Sequence, residues 1–306
     1  MHSKEKMYIP ELIFGNLLTS DNYDDKKNNK RTTGGRNGFG AKLTNIFSKS
    51  FTVDTVDSSR NKRYVQTWND NMVKRNDPKI SAVAKGKKDY TKIMFEPDLE
   101  KFGMSSLDQD TVSLFTKRVY DMAGVTHKSV SVYLNGEKLD TKTFKQYVSL
   151  CQQSMLQKLQ EEGRETTVQF LEVNERWTVA VCASTGQFEQ CSFVNSICTS
   201  KGGSHVSYIT DQISSHLEKE FKKKNKKIKG IKKSQIKNFL CVFVNCLIEN
   251  PSFDSQTKDT LTTPTRNFGS TAVLPPNFLK AVAGKKMGIL DAMSSFASFK
   301  SRKIGK

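Results

Sequence analysis

Residues 239–247, FLCVFVNCL, limit the fold more than any other stretch of the chain. A nearly continuous apolar run of this length needs cover on both faces, so it belongs inside a sheet and not at its rim. The segment before it carries Val206, Ile209, Ile213, Leu217 and Phe221 at helical spacing, an amphipathic helix with one apolar face. A lysine block follows that helix directly: Lys222, Lys223, Lys224, Lys226, Lys227, Lys229, Lys232 and Lys233. Strand, helix, lysine-rich loop and strand make a crossover unit, which joins parallel strands with right-handed chirality. Three further strands are predicted upstream, over 168–173, 177–183 and 187–195. Ser184-Thr185-Gly186 is predicted to join the last two as a hairpin turn.

The first half of the chain has a different rhythm. Residues 10–18 are apolar on one side, and residues 19–33 are polar without periodicity and read as a loop. A short helix is predicted over 41–48 with Leu43, Ile46 and Phe47 on one face. Phe51, Val53 and Thr55 alternate in one strand, and Tyr64, Gln66 and Trp68 in a second. Turn residues 57–61 between them predict a hairpin. A strand over 90–95 ends at Pro97, and a helix over 108–123 carries Val112, Phe115, Val119 and Met122. Val130, Val132 and Leu134 alternate into Asn135-Gly136, a strong hairpin turn. Residues 276–299 read as helical, with Phe278, Leu279, Ile289, Leu290, Met293 and Phe296. No internal repeat is evident. The expectation is an α+β chain of two sheet-and-helix sandwiches in tandem.

Charge narrows the range of partners. Among 306 residues, 49 Lys and Arg stand against 31 Asp and Glu, a net +18. Such a surface suits polyanions: nucleic acid, acidic lipid or nucleotide phosphates. Further basic blocks lie at Lys85, Lys87 and Lys88, and at Lys300, Arg302, Lys303 and Lys306. No window approaches the roughly 18–20 apolar residues of a membrane span. Residues 1–10 have no apolar signal core, so an intracellular chain is expected. Six cysteines without CxxC spacing and four scattered histidines give no reason to expect zinc. The thiols are expected to be reduced and to lie in the core.

Gly35-x-x-Gly38-x-Gly40-Ala41-Lys42 precedes the first predicted helix. Glycines let backbone N–H groups approach an anion, the helix N-terminus adds partial positive charge, and Lys42 can add a full one. It is not a Walker A loop, because Ala41 precedes the lysine and Leu43 replaces the magnesium-binding hydroxyl. It is not the dinucleotide fingerprint either, because a polar loop and not a strand precedes it. The spacing alone leaves open a glycine turn that merely caps a helix.

Longer strings bear on that choice. They are Tyr8-Ile9-Pro10 through Leu12-Ile13-Phe14-Gly15, then Leu17-Leu18-Thr19-Ser20-Asp21-Asn22-Tyr23-Asp24-Asp25, then 34–42. With Gln66-Thr67-Trp68, Asn174-Glu175-Arg176-Trp177, Phe193-Val194-Asn195-Ser196, 199–203 and 245–258, the chain resembles the ATPase region of eukaryotic type II DNA topoisomerases. The resemblance runs in order over nearly the whole chain. It implies that residues 1–141 are the later part of a GHKL-type (Bergerat) ATPase sandwich. Residues 142–285 would be a ribosomal-protein-like βαβ transducer domain, and 286–306 a helical linker towards a metal-binding domain.

The resemblance also implies site residues. Ser20 and Asn22 occupy positions that hydrogen-bond ribose or phosphate; Asp21 stands where relatives often carry a small hydroxyl residue. Gly35, Arg36, Asn37, Gly38, Phe39, Gly40, Ala41 and Lys42 would form the ATP lid, within 34–42. Thr91 matches a threonine near the adenine, and Gln256, Thr257 and Lys258 a transducer loop that reaches the γ-phosphate. Lys222, Lys223 and Lys224 match a DNA-touching lysine loop. The implied cofactors are ATP and Mg2+. The implied partners are duplex DNA and a second copy in the full-length enzyme, in the nucleus and without membrane. The family's catalytic Glu, its magnesium-binding Asn and its Asp-x-Gly-x-Gly motif have no match among the 306 residues, nor has its cleavage tyrosine. A polypeptide of these residues alone is therefore expected to hydrolyse ATP negligibly. The residues by themselves also leave open a basic module that only holds nucleic acid. A protein kinase is excluded, since no His-Arg-Asp or Asp-Phe-Gly string is present.

Overall fold

The structure, a computed structural model, describes residues 1–2, 4–20, 22, 30–163, 166–225 and 231–304. Contacts divide the chain into two units: Met1–Asn29 with Gly35–Val112, and Lys30–Gly34 with Ser113–Lys306. The division falls at residue 112, ahead of the residue-141 boundary that the resemblance implies.

The first unit opens with helices α1 (Ile9–Gly15) and α2 (Phe39–Ile46). Its sheet is β1 (Ser48–Asp57), β2 (Lys62–Asn69), β3 (Lys74–Arg75), β4 (Lys79–Ala82) and β5 (Tyr90–Pro97). The order is β3-β2-β1-β5, with β4 also paired to β2, and all pairs are antiparallel. The predicted hairpin is present, with Phe51 opposite Trp68 and Val53 opposite Gln66. Phe51, Val53 and Trp68 form the core, and Phe14 from α1 and Met72 pack on it. Gly15 is needed there because a Cβ would stand 2.8 Å from the Trp68 ring.

Two expectations for this region fail. In α2 the inward residues are Lys42 and Asn45, while Leu43 and Phe47 are exposed. The polar side chains face in because backbone carbonyls wait there: Asn45 Nδ2 donates to the Phe14 carbonyl at 3.1 Å. Phe47 instead meets the Phe102 ring at the surface, with centroids 5.2 Å apart. In β1 the alternation changes after Val53, so that Val56 is buried and Thr55 only half-buried.

The second unit contains α3 (Gln109–Val125) from Ser113 onward, then the hairpin β6 (Tyr133–Leu134) and β7 (Glu137–Lys138). Asn135 and Gly136 both take positive φ in its two-residue turn, as a twisted hairpin requires. The predicted face of α3 is not the buried one: Val112, Phe115 and Met122 are exposed, and Asp121, Ala123 and Gly124 are buried. The reason is a polar anchor. Tyr147 Oη donates to Asp121 Oδ1 at 2.6 Å, and Lys117 Nζ donates to the same carboxylate.

Helix α4 (Phe144–Glu161) leads to β8 (Gln169–Asn174), β9 (Trp177–Ala183), β10 (Glu189–Val194), β11 (Ile197–Cys198) and β12 (Gly202–Gly203). Helices α5 (Ser204–Lys224) and α6 (Lys233–Ile236) precede β13 (Leu240–Cys246), β14 (Thr260–Leu261), α7 (Pro276–Val282) and α8 (Ile289–Ile304). The main sheet has the order β11-β10-β13-β9-β8. β13, the apolar run, is central and buried along both faces, parallel to β10 and antiparallel to β9. The crossover is therefore present, and Val206, Ile209, Ile213, Leu217 and Phe221 of α5 are all buried. Each full burial of such an Ile or Leu contributes about 1.5–3 kcal/mol.

The predicted β9–β10 hairpin is not formed, because β13 lies between the two strands. The strand that needs two covered edges takes the centre, and the Ser184-Thr185-Gly186 connection spans it. The predicted final helix is broken into α7 and α8, with Gly288 at φ +67 between them. Ile289, Met293 and Ala297 of α8 enter the unit's core, so this stretch is packed structure as well as connection. All six cysteines are free thiols; Cys151 is exposed, contrary to expectation. Burial pushes the Cys191 thiol up to about 12.

His205, at the start of α5, is fully buried with Nε2 3.1 Å from Thr199 Oγ1. Burial lowers its pKa to about 3, against about 6.5 in an unfolded chain. Between those values the unfolded state binds the extra proton. Stability from this group is therefore complete above pH 6.5 and lost progressively as pH falls towards 3. We expect the melting temperature of the chain to fall across that window and His205→Gln to flatten the fall, measured by calorimetry against pH.

Candidate functional site

In the first unit, Gly38 caps α2 in the left-handed conformation, at φ +66 and ψ +21. A Cβ there would stand 2.7 Å from the Thr19 carbonyl, so both backbone angle and space demand glycine. Gly35 and Gly40 differ, since a Cβ at either meets nothing within 4 Å. Ser20 Oγ donates to the Arg36 carbonyl at 2.6 Å, and Asn22 Nδ2 to the Gly35 carbonyl at 3.0 Å. The structure thus joins Ser20 and Asn22 to the glycine loop; Asp21 lies outside the described residues.

Lys42 is the surprise of this loop. It is 2% exposed, and its Nζ donates to the carbonyls of Thr19 (2.9 Å) and Gly38 (3.1 Å). Burial lowers its pKa. Its ammonium holds the two sides of the loop together from within, where the sequence suggested a full charge offered to an anion. Thr91 sits on β5, opposite Thr55 of β1, and the two hydroxyls lie 2.9 Å apart. That pair is towards the other end of β1 from α2.

Gln256, Thr257 and Lys258 lie in the second unit, between Phe253 and Leu261, which form an isolated antiparallel bridge. Gln256 and Thr257 are exposed and Lys258 half-buried. Lys258 takes φ +61, a left-handed angle that is costly for a lysine and needs surrounding support. Asp259 gives that support, and sequence reasoning missed it. Its carboxylate accepts from Thr257 Oγ1 (2.9 Å) and Ser200 Oγ (2.5 Å), and Lys201 Nζ lies 3.5 Å away. The Ser200 and Thr257 hydrogen bonds hold its carboxyl below the usual range. Arg31, from a stretch read only as polar loop, is the second residue missed. Burial first and the Arg31 guanidinium second hold the Lys258 ammonium below its ordinary value.

Lys222, Lys223 and Lys224 are exposed in the last turn of α5. Lys222 pairs with Glu218 and Lys223 with Glu220, each at 2.7 Å. Lys226, Lys227 and Lys229 lie outside the described residues.

Residues 143–303 match the DNA gyrase B family. The chain belongs to the type II DNA topoisomerase family. It is 48% identical to DNA topoisomerase 2 of Arabidopsis thaliana over 99% of its own length, and 50% identical to DNA topoisomerase 2-alpha of Cricetulus griseus over 98%. It spans about a fifth of these relatives: 20% and 19% of their lengths. Among solved structures it is similar to the ATPase and transducer domains of DNA topoisomerase II from Balamuthia mandrillaris, with TM-score 0.88 and 44% identity. That match covers 98% of this chain and 74% of the other. It is also similar to the ATPase region of Saccharomyces cerevisiae topoisomerase II, with TM-score 0.86 and 45% identity. Here the shares are 97% and 73%. The expected α+β fold is therefore that of the family's ATPase and transducer domains.

The glycines make the loop testable without any ligand. Gly38→Ala is expected to loosen the loop and speed its cleavage by trypsin at Arg36, while Gly40→Ala leaves the rate near that of the parent. Equal rates in the two variants would show that the Gly38 geometry does not hold the loop.

Proposed function

We propose that this chain is the nucleotide-responsive part of a type II DNA topoisomerase, which changes DNA topology by ATP-driven passage of one duplex through another. By role, residues 1–141 belong to the ATPase module, 142–285 to the transducer and 286–306 to the connection beyond it. Ser20, Asp21, Asn22 and the lid Gly35–Lys42 cradle the ATP phosphates and ribose, with Thr91 towards the base. Gln256, Thr257 and Lys258 read the terminal phosphate. Lys222, Lys223 and Lys224 hold the duplex backbone. The enzyme acts as a homodimer in the nucleus.

The observation that carries this reading is Lys258, held at a left-handed angle by the Asp259 network with Arg31 as its charged neighbour. A loop kept in a costly shape by a charged network is suited to an anion that comes and goes. A γ-phosphate is such an anion, and hydrolysis removes it. The inward Lys42 supports the same reading: with its head on the Thr19 and Gly38 carbonyls, it holds the glycine loop in shape at the start of α2, an end that favours an anion. Mg2+ would accompany the triphosphate and offset its charge. Among the described residues no group of three His, Cys, Asp or Glu is placed to hold a metal, so no residue is assigned as its ligand. No helix among them is long and apolar enough to cross a membrane.

Azido-ATP crosslinking tests the nucleotide assignment. Label is expected on the peptide carrying 35–42, and Lys258→Met should bring the affinities for ATP and ADP together. Label confined to other peptides would overturn the assignment.

Duplex DNA binding tests the lysines. Replacing Lys222, Lys223 and Lys224 by alanine should reduce the slope of log K against log salt by up to about 2–3, as expected for up to three lost phosphate contacts. An unchanged slope would remove these lysines from the DNA surface.

A further inference from the structure

The residues leading into the glycine loop, Lys30–Gly34, belong by contact to the second unit. The Asn250 N–H donates to the Arg31 carbonyl at 2.8 Å, and the Arg31 N–H donates to Asn250 Oδ1 at 3.2 Å. Asn250 can meet both groups because it takes φ +45, an angle asparagine tolerates better than most residues. Beside it, one carboxylate oxygen of Glu249 accepts from Arg176 Nη1 at 2.8 Å, and the other lies 3.4 Å from Lys30 Nζ. Glu249 has a built seat: it lies over Gly269, where a Cβ would stand 2.1 Å from the carboxyl carbon. The far end of the segment is pressed just as closely, since a Cβ on Gly34 would stand 1.9 Å from Ile197 Cδ1.

The two ion pairs differ in the cost of breaking them. Lys30 is 73% exposed and Glu249 only 11%. Release of Lys30 returns an ammonium to water at little cost. Arg176 stays on Glu249, so the carboxylate is never left buried and unpaired. The arrangement is a fixed half, Arg176 with Glu249, and a releasable half, Lys30. The same stretch continues through Pro251 and the following loop into Gln256, Thr257 and Lys258.

We propose that Glu249 and Asn250 are positioning residues that clasp residues 30–34, and that the clasp links the chain entering the lid to the order of the Gln256–Lys258 loop. The consequence for ATP rests on the nucleotide reading above; the clasp and its link to the loop do not.

Hydrogen–deuterium exchange on the full chain without nucleotide tests it, with the amides of Arg31, Asn250 and Lys258 as reporters. Lys30→Met should speed exchange at all three by about two- to fivefold, the range for loss of a largely exposed pair. Glu249→Gln should speed it by about tenfold or more, the range for loss of charged hydrogen bonds. Lys30→Arg should restore parental exchange, and Lys30→Met should leave the melting temperature unchanged, which separates positioning from global stability. Parental exchange at Arg31 and Asn250 in both Lys30→Met and Glu249→Gln would overturn the clasp. Faster exchange there with Lys258 unaffected would overturn the link. Titration with trinitrophenyl-ATP is a separate arm: if the parent fails to bind it, the nucleotide reading fails while the exchange data still decide the clasp.

Discussion

The central strand β13 must be covered on both faces and paired on both edges, and most of the second unit follows from that demand. β10 takes one edge in parallel and β9 the other in antiparallel. Parallel pairing requires a crossover, and α5 supplies it while covering the apolar side chains. The candidate stretches then flank one strand in the sequence. The lysine block comes shortly before β13, and Glu249, Asn250 and the Gln256–Lys258 loop follow it. A strand that cannot shift register without exposing its core makes a firm base for the loops that flank it.

Charge is used economically within each unit. Lys42 donates to two backbone carbonyls and acts as an internal tie. Asp259 collects hydroxyl donors and a lysine to hold a neighbour in a costly backbone angle. Glu249 stands between an arginine that stays and a lysine that can leave. In each case a single charged side chain shapes the backbone around it. This differs from a surface that is merely basic, where lysines project into water and bind any polyanion.

Much of the fold was legible because one-dimensional periodicity reports burial directly. The β1–β2 hairpin, β9, the face of α5, the apolar run of β13 and the Asn135-Gly136 turn could each be read from spacing, since each is decided within one element. The failures share a cause: a partner distant in sequence overrode the local pattern. Asp121 turned α3 through a bond to Tyr147, twenty-six residues away; carbonyls of Thr19 and Phe14 turned Lys42 and Asn45 of α2 inward; β13 separated two strands that a short turn seemed to join. Among the candidate residues, the strings carrying Ser20, the glycine loop and Gln256–Lys258 were readable as strings. Arg31 and Asp259 were not, because neither residue has a signature until folding places it beside Lys258 or Ser200.

The sequence alone determined the α+β class, the amphipathic and fully apolar segments and the family, because those depend on residue type and order. Only the tertiary structure decided which way Lys42 points, which strand is central, and that the entry to the glycine loop is held by Glu249 and Asn250. These depend on hydrogen bonds and ion pairs between groups far apart in the chain, whose geometry exists only once the backbone has brought them within a few ångströms.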